Sequence, residues 1–152
     1  MITYEKMLRN PQVSSGLIGL SLEEFEELYL KFERVHMTRL RALQHTQRDK
    51  RKRRRAVGAG RKHKYALCDR LLMTLFWLRA YTTYQVIGSL YHVDKTTVED
   101  YLIPIIHTLS TMNCFSFEPI QAEIPKLRSV EEVIHTFPGI RLLLESEDHF
   151  IE

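Results

Sequence analysis

The chain has 152 residues, 44% of them hydrophobic, which is enough to bury the core of one ordinary domain and excludes disorder throughout. The longest apolar run, Leu71–Leu78, is far shorter than the roughly 20 residues that a membrane helix needs, and the first residues hold no apolar signal-peptide stretch. Cys68 and Cys114 lie far apart without a CxxC partner, which favours reduced thiols and argues against a disulfide framework or a zinc site.

The formal net charge of +3 conceals an uneven distribution. Residues 48–64 contain ten Lys or Arg and one Asp, a charge of +9, whereas the rest of the chain has 12 basic and 18 acidic residues, a charge of −6. A concentrated cationic segment on an otherwise acidic protein is typical of chains that bind a polyanion such as nucleic acid. A solvated basic linker has the same composition, so charge alone leaves both interpretations open.

The first element in the chain is a long amphipathic helix. Ser21-Leu22-Glu23-Glu24 has the form of a capping box, which predicts that a helix begins after Ser21. Apolar and aromatic side chains then recur at spacings of three and four: Leu22, Phe25, Tyr29, Phe32, His36, Leu40 and Leu43. Glutamates precede most of the basic residues, as the helix dipole favours, and Glu27 and Lys31 form an i,i+4 pair. The pattern supports a helix to about Leu43 and gives no support for order in the basic run beyond it.

Three further helices are predicted in the middle of the chain. Apolar positions from Leu67 to Leu78 cover most of a helix circumference, as in a central core helix. Thr82, with Gln85, is a candidate cap for a short helix over residues 83–91. Asp94 is a candidate cap for the next helix, which Pro104 is expected to break or kink.

The remainder of the chain is predicted to be less regular. Two prolines between residues 113 and 128 indicate an extended connection. Ser129-Val130-Glu131-Glu132 predicts a last helix, which Phe137-Pro138-Gly139 ends. Ile140–Leu144 is then predicted to be a buried strand, the start of a short α/β remnant.

Residues 86–102 have the spacing of a helix-turn-helix. Gly88 is small enough for two helices to approach closely, and Val93 supplies an apolar plug for the turn. In the second helix, Val98 and Leu102 are expected to face inward, with Tyr101 a further inward candidate. His92 stands where such turns often have glycine, so it is expected to adopt a left-handed conformation.

A wider set of residues resembles one family. The runs Gly58-Ala59-Gly60-Arg61-Lys62, Asp69–Leu75, Trp77-Leu78-Arg79 and Thr83-Tyr84, together with the helix-turn-helix, are similar to the N-terminal region of bacterial insertion-sequence transposases of family five. Ile124–Val133 and Phe137-Pro138-Gly139 resemble the lead into the first catalytic strand of that family. The resemblance implies binding at transposon ends by a helix-turn-helix that precedes a DDE domain of RNase H-like fold.

The catalytic residues that the resemblance implies are not matched in this sequence. The family places its first catalytic Asp after the strand that matches Ile140–Leu144, where this chain has Glu145 or Ser146. Two-metal phosphoryl chemistry needs carboxylates converging from several elements, and one short acidic tail cannot supply them. The chain is therefore expected to be a truncated transposase with no catalytic residue, no cofactor and no metal site.

Three groups of residues are candidate DNA contacts. Lys95, Thr96 and Thr97 open the presumed recognition helix, where they would meet base edges or simply form a solvated first turn. Arg61, Lys62 and Lys64 could follow a narrow minor groove or belong to a flexible linker. The remaining candidates are the basic residues of the arm: Arg51, Lys52, Arg53, Arg54 and Arg55. Glu99 and Asp100 oppose phosphate contact by the recognition helix.

The sequence thus predicts an all-α fold with a long N-terminal helix and a three-helix core containing the helix-turn-helix. The expected divisions are a helical region (1–47), a basic arm (48–64), the helix-turn-helix domain (65–112) and a linker with the truncated catalytic start (113–152). The expected partner is double-stranded DNA, with full-length transposase or a frameshifted second product as further candidates, in the bacterial cytoplasm at the nucleoid. The alternatives are a stand-alone helix-turn-helix transcription regulator and an interaction fragment whose amphipathic helix forms a coiled coil.

Overall fold

The structure is a computed structural model that describes residues 2–50, 62–112 and 126–144, the first range with side chains as far as Gln44. These ranges form helices and no strand, which confirms the predicted all-α fold. The helices are α1 (Tyr4–Arg9), α2 (Pro11–Ile18), α3 (Leu22–Lys50), α4 (Leu67–Ala80), α5 (Tyr84–Tyr91), α6 (Lys95–Thr111), α7 (Val130–Thr136) and α8 (Ile140–Leu144). None of the helices in the described ranges is both long and apolar enough to cross a membrane.

The sequence patterns did not identify α1 and α2, although both helices carry local signals. Thr3 caps α1, because its hydroxyl accepts a hydrogen bond from the amide of Lys6 at 3.4 Å. Pro11 occupies the first turn of α2, where its missing amide proton costs nothing. Gly19 ends that helix in the left-handed conformation with φ 75°, as helix-terminating glycines commonly do.

Helix α3 begins at the predicted capping box. The Ser21 hydroxyl accepts from the Glu24 amide at 3.2 Å, and the Glu24 carboxylate accepts from the Ser21 amide at 2.8 Å. The expected ion pair of Glu27 and Lys31 is present at 3.1 Å between exposed side chains. The helix does not end near Leu43 but continues to Lys50, because Arg, Lys and Gln have high helix propensity and extend a helix that is already formed.

The core forms where α4 packs against α2, α3 and α6. All six side chains from Leu71 to Phe76 are buried, as predicted for a central helix. Each of the other helices adds fully buried apolar side chains, among them Met7, Leu17, Phe25, Phe32, Ile87, Leu102, Val133 and Leu143. In the predicted stripe of α3, Phe25, Phe32 and His36 are buried and Leu22 and Tyr29 are partly buried, whereas Leu40 and Leu43 are 36% and 48% exposed. The part of the predicted stripe as far as His36 therefore packs inside this domain and is not available for the expected coiled coil, whereas Leu40 and Leu43 lie outside the core.

The predicted break at Pro104 is wrong, because α6 runs through it from Lys95 to Thr111. The amide that proline lacks would have reached the carbonyl of Asp100, an exposed residue, so water can satisfy that carbonyl. The carbonyl of Pro104 itself accepts from Arg39 Nη1 at 2.9 Å and from Thr108 Oγ1 at 3.1 Å. These bonds secure the middle of α6 against α3.

A short parallel bridge joins Thr82 to Leu127 just before α7. The Leu127 amide donates to the carbonyl of Tyr81 at 3.0 Å, and the Thr82 hydroxyl donates to the carbonyl of Leu127 at 2.8 Å. Thr82 is therefore not the predicted cap of α5. Thr83 caps it instead, accepting from the Val86 amide at 3.3 Å.

The predicted strand at Ile140–Leu144 is also wrong, since these residues form helix α8. Ser129 caps α7 as predicted, and α7 ends at the Phe137-Pro138-Gly139 turn. Within that turn the amides of Ile140 and Arg141 donate to the carbonyls of Phe137 and Pro138, which starts a new helical turn. Ile140 and Leu143 are buried at a helical spacing of three. A short apolar run fits a buried helix as well as a strand, so the α/β remnant is absent from the described part of this region.

Candidate nucleic-acid interface

The turn between α5 and α6 has the predicted compact geometry. His92 adopts the left-handed conformation, with φ 52° and ψ 44°, and its amide donates to the carbonyl of Gly88. The Val93 amide donates to the same carbonyl at 3.0 Å. Val93 is partly buried against the core, as expected of a plug. Gly88 lies so close to the turn that a Cβ there would be 2.5 Å from the carbonyl oxygen of Val93.

Helix α6 is capped and divided into two faces, as predicted. The Asp94 carboxylate accepts from the Thr97 amide at 2.7 Å, and this amide, with the Thr97 hydroxyl, holds the pKa of Asp94 below its usual range. Val98, Tyr101 and Leu102 face inward and are buried. The opposite face is exposed and carries Lys95, Thr96, Glu99, Asp100, Ile103 and His107.

The three candidate residues on α6 therefore have different roles. Lys95 and Thr96 are exposed in the first turn, where their side chains can reach a ligand. Thr97 is partly buried, and both its amide and its hydroxyl are bonded to Asp94, so it belongs to the helix cap. Glu99 and Asp100 follow on the exposed face. Lys95 and Thr96 are therefore the exposed side chains of α6 closest to the turn that are not acidic.

Lys62 and Lys64 lie beside this helix. The Lys64 amide donates to the Tyr101 hydroxyl at 3.2 Å, and the Lys64 ammonium donates to the carbonyl of His92 at 3.3 Å. The ammonium also lies 5.6 Å from the centre of the Tyr65 ring. Both lysines are exposed, so the end of the basic segment is attached to the turn and to α6 while its charge stays accessible.

A cleft of about 560 Å³ separates the two groups of candidates. Its walls are Lys62, His63, Lys64, His92, Val93, Asp94, Thr97, Asp100 and Tyr101. The cleft brings two lysines together with two carboxylates, so its charge is mixed. His63 packs edge-on against Tyr101 with 5.4 Å between ring centres. Burial lowers the pKa of His63, and the Arg70 guanidinium adds to this, whereas Asp100 acts in the opposite direction.

The other predicted arm residues, Arg51, Lys52, Arg53, Arg54, Arg55 and Arg61, lie outside the described residues. The flanking elements nevertheless define where the arm starts and returns. His36 bonds Thr108 at 2.8 Å and Arg39 bonds Pro104 at 2.9 Å, so α3 runs antiparallel to α6. The last turns of α3 therefore point toward the N-terminal end of α6, and the chain is next described at Lys62, beside that same end.

Several residues that shape this interface were missed by the sequence patterns. Tyr101 was expected only to face inward, yet its hydroxyl accepts from Lys64. The Tyr65 hydroxyl donates to the carbonyl of Tyr91 at 2.6 Å, which fixes the entry to α4 against the end of α5. Arg39 of α3 had no predicted contact, yet its side chain bonds the carbonyl of Pro104 in α6. Nothing in the local sequence marks these interactions, because their partners are distant along the chain.

Cys68 is a free thiol in the half-buried part of α4. Burial raises its pKa to about 12, and the nearby carboxylate of Asp69 adds to this. A thiol of that pKa is protonated at neutral pH and is a poor nucleophile and metal ligand. Cys114 lies outside the described residues. Among the residues that the structure describes, no three His, Cys, Asp or Glu side chains are grouped to hold a metal ion.

A short helix, a tight turn with a small residue at the crossing, and a second helix with a capped and exposed first turn together define a helix-turn-helix module. Comparison with protein families agrees: residues 66–112 match the family described as helix-turn-helix of DDE superfamily endonuclease. No curated protein and no solved structure matches the chain significantly. The matched region holds α4, α5 and α6, and a module of this family indicates DNA binding.

Proposed function

We propose that the chain binds double-stranded DNA at transposon ends, with the first turn of α6 in the major groove and the basic arm along the adjacent backbone. The observation that carries this proposal is the position of Lys64. Its amide is held by Tyr101 of α6 and its ammonium by the carbonyl of His92. The end of the +9 segment is thereby fixed beside the helix that would read the bases.

Charge decides how α6 would approach the duplex. Lys95 and Thr96 are exposed in the first turn, whereas Glu99 and Asp100 follow one turn later. A carboxylate close to phosphates is repelled, so an approach along the whole helix is unfavourable. An approach by the N-terminal end avoids that repulsion and places Lys95 and Thr96 at base edges, as in other helix-turn-helix modules. Readout by this helix would then be confined to one or two base pairs.

The arm would supply most of the affinity. Lysine and arginine side chains bind phosphates with little regard to sequence, and each phosphate that they neutralise releases counterions. The segment from residue 48 to residue 64 holds ten such side chains. It connects α3 to the edge of α6, so the arm and the helix can engage one stretch of DNA together. A location at the bacterial nucleoid is part of this proposal.

Selection of bound sequences from random duplex DNA tests the assignment. Lys95→Ala and Thr96→Ala should each relax the preference at one or two positions, by about 1–3 kcal/mol where a well-paired base edge is left without its partner. Lys31→Ala is the matched control, because it removes an exposed lysine from α3. Preferences that are identical in all four proteins would show that α6 does not read bases. A preferred sequence that lies at no transposon end would contradict the proposed target.

We further propose that this chain binds DNA without cutting it. The family match covers the helix-turn-helix and no catalytic domain, and the acidic residues after Leu144 lie on one short stretch, whereas two-metal chemistry needs carboxylates from several elements. A supercoiled plasmid with transposon ends should stay intact with the purified chain and Mg²⁺ or Mn²⁺. Metal-dependent nicking that disappears in Glu145→Gln would contradict this proposal, whereas nicking that persists in that variant would indicate a contaminating nuclease.

A further inference from the structure

Helix α3 carries an exposed apolar row beside the side chains that pack into the core, and this row includes Leu40 from the later part of the predicted stripe. Leu30, Met37 and Leu40 are 58%, 45% and 36% exposed. With Glu33 they follow each other at intervals of three, four and three residues, which places them on one helical face. These four residues are called the outer seam. Alternating intervals of three and four are the spacing by which two helices pack side by side.

We propose that a second copy of this chain packs on the outer seam, with the two α3 helices antiparallel about a two-fold axis. The charges beside the seam select this occupant and this direction. Glu27, Arg34 and Arg41 are exposed along one edge of the seam, with the acidic residue nearest the start of the helix. An antiparallel pair brings Glu27 of each helix to Arg41 of the other, whereas a parallel pair does not.

The spacing of the seam also fixes a register. In an antiparallel pair the two kinds of core position face each other, so Leu30 meets Leu40 and Glu33 meets Met37 of the second copy, and the axis passes near Val35. Glu27 then lies beside Arg41 of the second copy, and Arg34 of each copy lies near the axis, close to Glu33 of the other. Each of these pairings occurs twice, as a two-fold interface requires. The surface is complementary to itself and closes with two chains.

The dimer forms without DNA, but it determines how two DNA-binding modules are arranged. Helix α3 has 29 residues, about 44 Å at 1.5 Å per residue, but the outer seam occupies only its middle part. An interface of this size is small, so the association is expected to be reversible. Each copy contributes one helix-turn-helix, so the dimer presents two modules related by a two-fold axis, the arrangement that reads paired half-sites.

Sedimentation equilibrium of the full chain without DNA tests association. The apparent mass should rise from 18.0 kDa toward twice that value as the concentration increases. Leu30→Glu with Met37→Glu should stay at the monomer mass with an unchanged circular dichroism spectrum, since both side chains are exposed. The matched control is Leu8→Glu with Leu142→Glu, two leucines that are 48% and 49% exposed on other helices, and it should dimerise like the wild type. A wild type that stays monomeric throughout, or a seam variant that dimerises normally, would overturn the proposal.

Oxidative cross-linking tests direction and register. In a chain with Cys68→Ser and Cys114→Ser, Leu30→Cys combined with Leu40→Cys should give a covalent dimer. These two positions are ten residues apart on one helix, about 15 Å, so they cannot join within one chain. Leu30→Cys alone should not cross-link, because its copies lie on opposite sides of the axis. Efficient cross-linking of the single variant would show a parallel pair and refute the antiparallel interface.

Discussion

Gly88 and Val93 approach so closely that a Cβ on Gly88 would lie 2.5 Å from the carbonyl oxygen of Val93. The clash would be with backbone, which cannot swing away as a flexible side chain can. The same glycine accepts hydrogen bonds at its carbonyl from the amides of His92 and Val93. The turn of the helix-turn-helix therefore depends on the absence of a side chain at position 88.

Gly88→Ala should lower the free energy of unfolding by about 1–3 kcal/mol, because the added methyl group forces the turn apart. The larger Gly88→Leu should cost at least as much. Gly16 is the matched control: it lies in α2, and a Cβ added there would have nothing within 4 Å. Gly16→Ala should raise stability by about 0.5–1 kcal/mol, since alanine favours helix. Chemical denaturation measures both, and a Gly88→Ala variant as stable as the wild type would refute the close approach.

Removal of the hydroxyl should affect the stability of the fold differently at two buried tyrosines. The Tyr91 hydroxyl is buried with no hydrogen-bond partner among the described residues, and burial raises its pKa well above 10.0. Tyr91→Phe should therefore leave stability unchanged or raise it by about 1 kcal/mol. The Tyr65 hydroxyl donates to the carbonyl of Tyr91 at 2.6 Å. Tyr65→Phe should cost about 1–3 kcal/mol, because that carbonyl is then left without its donor. Thermal unfolding compares the two, and equal destabilisation in both variants would contradict the assignment.

His36 should make the fold sensitive to acid. Burial lowers its pKa below the usual 6.5, and the Arg70 and Arg39 guanidiniums add to this. The unfolded chain then binds a proton that the folded chain resists, so stability is retained above pH 6.5 and falls below it. One such group contributes at most about 1.4 kcal/mol per pH unit.

Unfolding by urea at a series of pH values measures this dependence. His36→Gln should weaken the decrease of stability on acidification, and the lowered pKa of His63 should account for part of what remains. His107→Gln is the control, because His107 is exposed on the same helix that His36 contacts. A pH dependence that is the same in the wild type and in His36→Gln would contradict the assignment.

Local signals were sufficient for most of the fold. The caps at Ser21, Asp94 and Ser129 were predicted correctly because each cap bonds an amide three residues away. The left-handed conformation of His92 and the tight approach at Gly88 follow in the same way from the spacing of one short motif. Ile140–Leu144 was misassigned because a five-residue apolar run has too few positions to distinguish a helical period from a strand.

The candidate site was less predictable, because long-range interactions position it. Lys64 is held by Tyr101, 37 residues away, and α3 is aligned on α6 by His36 and Thr108, 72 residues apart. Such pairs arise from the packing of whole helices, which no local pattern encodes. The charge pattern thus identified Lys62 and Lys64 as cations near a recognition helix, whereas their attachment to that helix emerged only from the fold.

The salt dependence of duplex binding tests most directly whether the end of the basic arm and the recognition helix act together on DNA. Lys62→Gln with Lys64→Gln should reduce the magnitude of the log–log salt slope by about 0.9 for each phosphate that the protein no longer neutralises. Arg9→Gln with Lys31→Gln removes the same charge from exposed sites on α1 and α3, and should leave the slope close to that of the wild type. Equal slopes in the wild type and in the Lys62 and Lys64 variant would contradict the proposed interface.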